Sequence, residues 1–266
     1  MRALVTGSRG FLGRHFTAEL QRRGYAVDGF DIAGNGVRVD MRLAFGSPLR
    51  YDLVVHAAAK SPHRAAIDGD PSSHIYNRML DAAMFDWAVR TSQGRVLYLS
   101  SCAVLDESPD DYGRYKLAGE DMAALARRSG LKVTVVRPYS GYGSDQSEDF
   151  PFGAFIARAK RREDPFPLWN GGAVRDWIHV DDVVAGALAI AESGSIEPVS
   201  LCTGIGTSCG TVAGMVCEAA GHDPVLCDDY NKPRGVNRRV GDPTVMLRYY
   251  SPKVDLAEGI RRALEG

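Results

Sequence analysis

Gly7, Gly10 and Gly13 recur at three-residue intervals where an apolar run, Ala3-Leu4-Val5, gives way to a helical pattern from Phe11 to Arg23. No other feature narrows the fold so far. Glycine at the first position allows a tight turn, at the second a close approach of backbone to ligand, and at the third a helix packed hard on its strand. Phe11 and Leu12 open the helix, and its first N–H groups have no partner within the helix. Together with the helix dipole they favour a pyrophosphate at this end. Asp31 closes the next apolar run, eighteen residues after Gly13, where a carboxylate accepts hydrogen bonds from an adenosine ribose. Arg9 pulls towards the extra phosphate of NADP, but Asp31 repels a dianion. NAD is therefore the expected cofactor, with NADP left open by Arg9.

The rest of the first half alternates strand and helix patterns. Tyr25 to Phe30, Asp52 to Val55, Arg95 to Leu99 and Lys132 to Val136 are short continuous apolar runs, as in strands covered on both faces. Leu80, Ala83, Met84, Trp87 and Ala88 make a helical stripe, and Leu117 to Arg128 is helical in composition. Strand–helix alternation implies right-handed βαβ units and an α/β, doubly wound parallel sheet. After Pro138 the regularity fades. Ser140 to Pro151 reads as loop, Phe152 to Arg162, Asp181 to Ala191, Thr211 to Ala220 and Leu256 to Leu264 as helices, and Asp228 to Gly241 as a basic loop. The expected organisation is a dinucleotide-binding domain of residues 1–138, joined by 176–203, and a small C-terminal substrate-binding annex of 139–175 and 204–266.

Composition removes other classes. With 32 basic against 33 acidic residues there is no field to recruit nucleic acid or anionic membrane. No apolar run approaches the ~18 residues of a membrane span, and the opening Met-Arg-Ala-Leu-Val-Thr-Gly has no secretory apolar region. The five cysteines contain no Cys-x-x-Cys pair. His15, His63, His74 and His222 lack metal-ligand spacing, so no metal is expected. A reduced, cytoplasmic protein is the expectation.

Tyr112 and Lys116 stand one helical turn apart. A cation beside a phenol lowers its pKa from ~10, so such a tyrosine can exchange a proton with a sugar hydroxyl while a nicotinamide takes hydride from the same carbon. By itself the spacing also suits a surface pair. Here it follows a strand ending Leu99-Ser100-Ser101, and Ser101 can hydrogen-bond the reacting oxygen.

The glycine turn, the Ser-Ser pair and Tyr-x-x-x-Lys together resemble the extended short-chain dehydrogenase/reductase family, in its NAD-dependent sugar epimerase/dehydratase branch, with a Rossmann fold. The resemblance implies that Tyr112 is the acid/base, Lys116 binds the nicotinamide ribose and Ser101 orients substrate. It implies cofactor contacts at Asp40 and Met41, at His56-Ala57-Ala58-Ala59, at Asn77 and at Pro138. Arg175, in a block running to Asp182, and Arg234 in the basic tail would grip a nucleotide diphosphate, and Ser140 would touch the sugar. A nucleotide-sugar substrate and a homodimer formed through the helices near Asn77–Ser92 and Tyr112–Arg128 are further implications.

Three departures bear on the substrate. Only ten residues separate Ser101 from Tyr112, Tyr115 precedes the lysine where a small residue is usual, and Ser140 replaces an asparagine. Dehydratases of this branch carry an Asp-Glu pair directly after the hydroxyl residue, and here Cys102 and Ala103 stand there. That leaves 4-epimerisation through a transient 4-keto sugar as the expected reaction. Ser-Ser-Cys also resembles GDP-fucose synthase and related 3,5-epimerases, so a keto-sugar reductase or a 3,5-epimerase/reductase using Cys102 stays open. A non-catalytic cofactor-binding regulator is disfavoured by the retained Tyr–Lys pair.

Overall fold

The computed structural model describes residues 1–31, 45–46, 48–60, 71–232 and 235–266. Asp40, Met41, His63 and Arg234 lie outside the described residues. In chain order the elements are β1 (Arg2–Thr6), α1 (Phe11–Arg22), β2 (Ala26–Phe30), β3 (Leu53–His56), α2 (Pro71–Arg90), β4 (Val96–Leu99), a 3-10 turn (Cys102–Leu105) and α3 (Asp111–Arg128). Then follow β5 (Val133–Pro138), β6 (Ser140–Tyr142), α4 (Pro151–Arg161), β7 (Phe166–Leu168), β8 (Val174–His179) and α5 (Val180–Ser193). β9 (Val199–Leu201), β10 (Gly206–Ser208), α6 (Cys209–Ala219), β11 (Leu226–Asp228), β12 (Arg238–Arg239) and α7 (Leu256–Glu265) complete the chain.

Six strands pair in parallel in the order β2-β1-β3-β4-β5-β9, a Rossmann-like α/β fold. Side chains alternate across the sheet. Ala3 and Val5 of β1 join Phe16, Leu97, Val136, Leu188 and Ile190 on the face covered by α1 and α5. Leu4 joins Met84, Trp87, Tyr98 and Ala123 on the face covered by α2 and α3. After β2 the chain crosses back over β1 to form β3, so the strand order reverses between β1 and β3. A crevice opens there beyond the strand ends, the place where doubly wound sheets take their ligands.

A second sheet runs β10-β8-β12, with β6 beside the far half of β8. Ser140 to Tyr142, expected as loop, is therefore strand: Ser140 aligns with Trp177 and Tyr142 with His179. The run is too short for its own sequence pattern to declare it. Phe152, Phe155, Phe166, Trp177, Val212 and Ile260 pack beneath this sheet. Two carboxylates of the block from Arg175 to Asp182 fasten the parts together. Asp176 accepts from Thr203 N and Oγ1 (both 2.7 Å), Gly204 N and Gly241 N. Asp182 accepts from the Tyr250 hydroxyl at 2.6 Å and from Lys253 N and Val254 N. His179 caps α5, its Nδ1 accepting from Asp181 N at 3.2 Å.

Candidate active site

The glycine turn has the shape its spacing predicts. Gly7 adopts φ +68°, and its N–H donates to Phe30 O at 2.7 Å, tying the turn to the end of β2. A methyl group at Gly7 would lie 2.7 Å from Ala58 Cα, and one at Gly13 would lie 1.9 Å from Gly7 O. Gly10 caps α1 without a side-chain hydrogen bond, so the first N–H groups of the helix face outward for an anion. Asp31 follows β2 directly, and its carboxylate accepts from Arg9 N at 2.9 Å, which sets it at the rim of the turn. Gly7, Arg9, Gly10, Asp31 and Ala57 to Ala59 line a cavity of about 210 Å³, together with Lys60, Tyr76 and Leu80. A ribose carboxylate, a phosphate cradle and small residues where a planar base must pass are the donor set a dinucleotide needs, and the residues present fit it.

His56 and Asn77 hold this cavity from behind. The Asn77 side chain bonds both Lys60 N and Lys60 O at 2.8 Å, clamping the chain after Ala59. His56 is buried under the turn between Thr6 and Asp81, at 2.8 and 3.0 Å. Pro138 ends β5 half-buried, and Ser140 is half-buried at the start of β6.

Ser101, Tyr112 and Lys116 gather at the ends of β4 and α3. Asp110 caps α3 through Gly113 N at 2.8 Å, which brings Tyr112 into the first turn. Ser101 caps the 3-10 turn through Ala103 N. Burial pushes the Tyr112 phenol up to about 12, while the neighbouring Ser101 hydroxyl and Arg239 guanidinium pull it down. The expectation that Lys116 acidifies Tyr112 is not met in this geometry. The Lys116 ammonium turns inward to donate to Leu99 O at 2.7 Å and lies over the rings of Tyr98 and Tyr115. Desolvation lowers it to about 8, against the pull of Asp81 and Glu120.

Of the two arginines expected at a diphosphate, Arg175 lies in β8 and donates to Val174 O and Val236 O at 2.9 and 2.6 Å, bracing the approach to β12. The guanidinium that faces Tyr112 and Cys102 is Arg239, aligned with Arg175 across the β12–β8 pairing and bound to Asp106 through both carboxylate oxygens. Sequence reading missed Arg239 because one basic cluster offers several equivalent registers. Cys102 is buried and its thiol is raised to about 11, chiefly by desolvation. His15 pairs with Asp145 at 3.0 Å and His222 with Glu163 O at 2.9 Å, both away from this centre.

The dinucleotide crevice opens at the ends of β1 and β3, and Ser101 and Tyr112 stand beyond the end of β4, the strand beside β3. Fold and site define a nicotinamide-dependent enzyme of the extended short-chain dehydrogenase/reductase class. The chain belongs to the NAD dependent epimerase/dehydratase family, whose model matches residues 3–200, and NAD is its cofactor. It is 26% identical over 316 residues to dTDP-glucose 4,6-dehydratase of Actinoplanes sp., covering 98% of this chain and 95% of that one. It is 28% identical to dTDP-4-dehydro-6-deoxy-D-allose reductase of Streptomyces sp., covering 90% and 87%. The structure of Thermus thermophilus UDP-glucose 4-epimerase complexed with NAD superposes with a TM-score of 0.87 at 26% identity, covering 100% of this chain and 98% of that one. No described helix is long and apolar enough to cross a membrane.

Proposed function

We propose that this chain is an NAD-dependent nucleotide-sugar 4-epimerase acting through a transient 4-keto sugar. The observation that carries the reading is the surroundings of Ser101. Expelling water from a sugar needs a carboxylate base and a carboxylic acid at the reacting carbons, and the positions directly after Ser101 hold a buried thiol and a methyl group. Asp106, which closes the 3-10 turn after Ser101, is committed to Arg239. Oxidation and reduction at one carbon ask for less: one hydroxyl-orienting group and one proton exchanger.

Ser101 and Tyr112 fill those two places. In this state Tyr112 holds its proton at neutral pH, ready to donate to a carbonyl oxygen. To act as base it must release that proton, and Ser101 and Arg239 stabilise the anion that results. When bound, NAD supplies a hydride acceptor that later returns the hydride. Gly7 to Gly13 and Asp31 bind its pyrophosphate and ribose, Asn77 keeps Ala57 to Ala59 in place beside it, and Lys116 sits where the second ribose would pass. Arg239, with Arg175 behind it, is the diphosphate anchor, which is the support for a nucleotide-linked sugar; Arg234 and Ser140 remain candidates for the same ligand. Use of Cys102 as a proton shuttle for 3,5-epimerisation is opposed by a thiol held near 11. Ile75 and Met79 on α2 and Leu117 and Leu125 on α3 are exposed, and this apolar face supports a homodimer.

The test is the balance sheet of one reaction. Purified protein given NAD and UDP-galactose is expected to form UDP-glucose with no net NADH. Loss of water from the sugar by mass spectrometry, or stoichiometric oxidation of NADH or NADPH with a 4-keto sugar, sinks the epimerase assignment in favour of dehydratase or reductase.

A further inference from the structure

Beneath the site, five polar groups form an unbroken buried line. Ala58 N donates to Thr6 Oγ1 at 3.3 Å, and Thr6 Oγ1 lies 2.8 Å from His56 Nδ1. His56 Nε2 lies 3.0 Å from Asp81 Oδ1, and the Tyr98 hydroxyl donates to Asp81 Oδ2 at 2.6 Å. An ionised Asp81 with a neutral, Nε2-protonated His56 satisfies every group in the line. Asp81 is 1% exposed, and among the described residues no Arg or Lys reaches ion-pair distance of it.

A buried carboxylate without a cation is costly, and the nearest buried cation is Lys116. Its ammonium lies 5.2 Å from the centre of the Tyr98 ring, whose hydroxyl is the one given to Asp81. Donation to a carboxylate makes the ring more electron-rich and a better seat for a cation. Glu120, the other acid near Lys116, is already neutralised by Arg137 and accepts from Ser100 at 2.5 Å. The Tyr115 ring also lies against Lys116, and among the described residues the Tyr112 and His74 rings pack on Tyr115. α3 has made room for the arrangement: a methyl group at Gly119 would lie 1.8 Å from the Tyr98 hydroxyl oxygen and 2.8 Å from Asp81 Oδ2.

We propose that Asp81 is a positioning residue for Lys116: the carboxylate held between His56 and Tyr98 is the counter-charge that keeps the ammonium protonated and seated on the Tyr98 ring. The proposal builds on the assignment of Lys116 to the site. It also ties the two halves of that site together, since the same line of bonds begins at Ala58 in the cofactor cavity. Asp81 thereby sets the pH range in which the lysine carries its charge.

The experiment is an NMR titration of Lys116 Nζ in protein labelled on its six lysines, with the resonance assigned from Lys116→Met. Wild type is expected to titrate near 8, as burial and Asp81 together dictate. Asp81→Asn is expected to lower the midpoint by about one unit or more, a tenfold change in the charged fraction. The alkaline limb of turnover should move down with it while activity at pH 6 changes by less than about threefold. Asp81→Thr, also uncharged and able to accept a hydrogen bond, should do the same. An unmoved midpoint in either variant, or failure of both to fold, overturns the proposal, because the carboxylate would then serve only helix packing. Full turnover in Lys116→Met would instead remove Lys116 from the site, a result that the titration of Lys116 does not depend on.

Discussion

Arg239 grips Asp106 with both arms of its guanidinium, and the pair spans the gap between β12 and the turn that follows Ser101. The ion pair is four-fifths buried on both sides, beside Tyr112 and Cys102. On the proposed assignment, a nucleotide diphosphate binding here would meet a guanidinium whose charge is already answered, and Asp106 would compete with it. Arg239→Ala is expected to weaken UDP binding by about tenfold or more, the usual loss for a charge-assisted hydrogen bond. Asp106→Asn should tighten it a few-fold. Calorimetric titration with UDP reads both, and unchanged affinity in Arg239→Ala would place the diphosphate elsewhere.

Tyr112→Phe removes the exchangeable proton and little else. NAD retention should persist, and turnover should fall by about two orders of magnitude or more. In the wild type, turnover should decline as pH rises through about 8, because Lys116 loses its charge there, well before the phenol at about 12. Steady-state rates across pH 6 to 10 check the sign, and an acid limb without an alkaline one would contradict it.

Much of this was legible in the order of residues, for a physical reason. Gly7, Gly10 and Gly13 are dictated by backbone approach, Asp31 by the end of a strand, and Tyr112 and Lys116 by one helical turn; each depends on local spacing. β1 and β3 to β5 announce themselves as apolar runs, whereas β2, at the sheet edge, carries Asp28 and Gly29 and buries no residue fully. β9, with only Val199-Ser200-Leu201, and β6 are too short to carry a period, and their pairing is decided by partners far along the chain. The role of Arg239 depends on which of several basic residues the β12–β8 register brings to Tyr112. Likewise, nothing local marks Asp176 and Asp182, beside Arg175, as residues that commit their oxygens to backbone N–H groups. Asp81 carries no local signal at all, since its partners come from β3 and β4.

The same substitution should act with opposite sign at two helical glycines. Gly119→Ala would drive a methyl group into the Tyr98–Asp81 bond and is expected to destabilise by about 2 kcal/mol, with a further loss of turnover. Gly214 in α6 has nothing within 4 Å of an added methyl, and Gly214→Ala should stabilise by about 0.5–1 kcal/mol. Chemical denaturation of the pair checks the contrast; equal shifts would mean that α3 does not rest on Tyr98.

If α2 and α3 pair with their counterparts in a second copy, the exposed side chains of Met79 and Leu125 become buried. Wild type should then sediment as a dimer, and the combination Met79→Asp with Leu125→Asp should sediment as a monomer at micromolar concentration. A wild-type monomer in that range rules the homodimer out.

Tyr115 occupies the position before Lys116 with its ring fully buried and its hydroxyl without a partner among the described residues. The ring has a use, since the ammonium lies 4.8 Å from its centre. The hydroxyl brings only the loss of its hydration. Tyr115→Phe keeps the ring and sheds the oxygen, so it should raise stability by about 1 kcal/mol while leaving turnover and its pH profile unchanged. Denaturation midpoints and rates on one preparation decide the matter. A loss of stability would show that the oxygen is hydrogen-bonded in solution, and a shifted alkaline limb would show that it acts on Lys116.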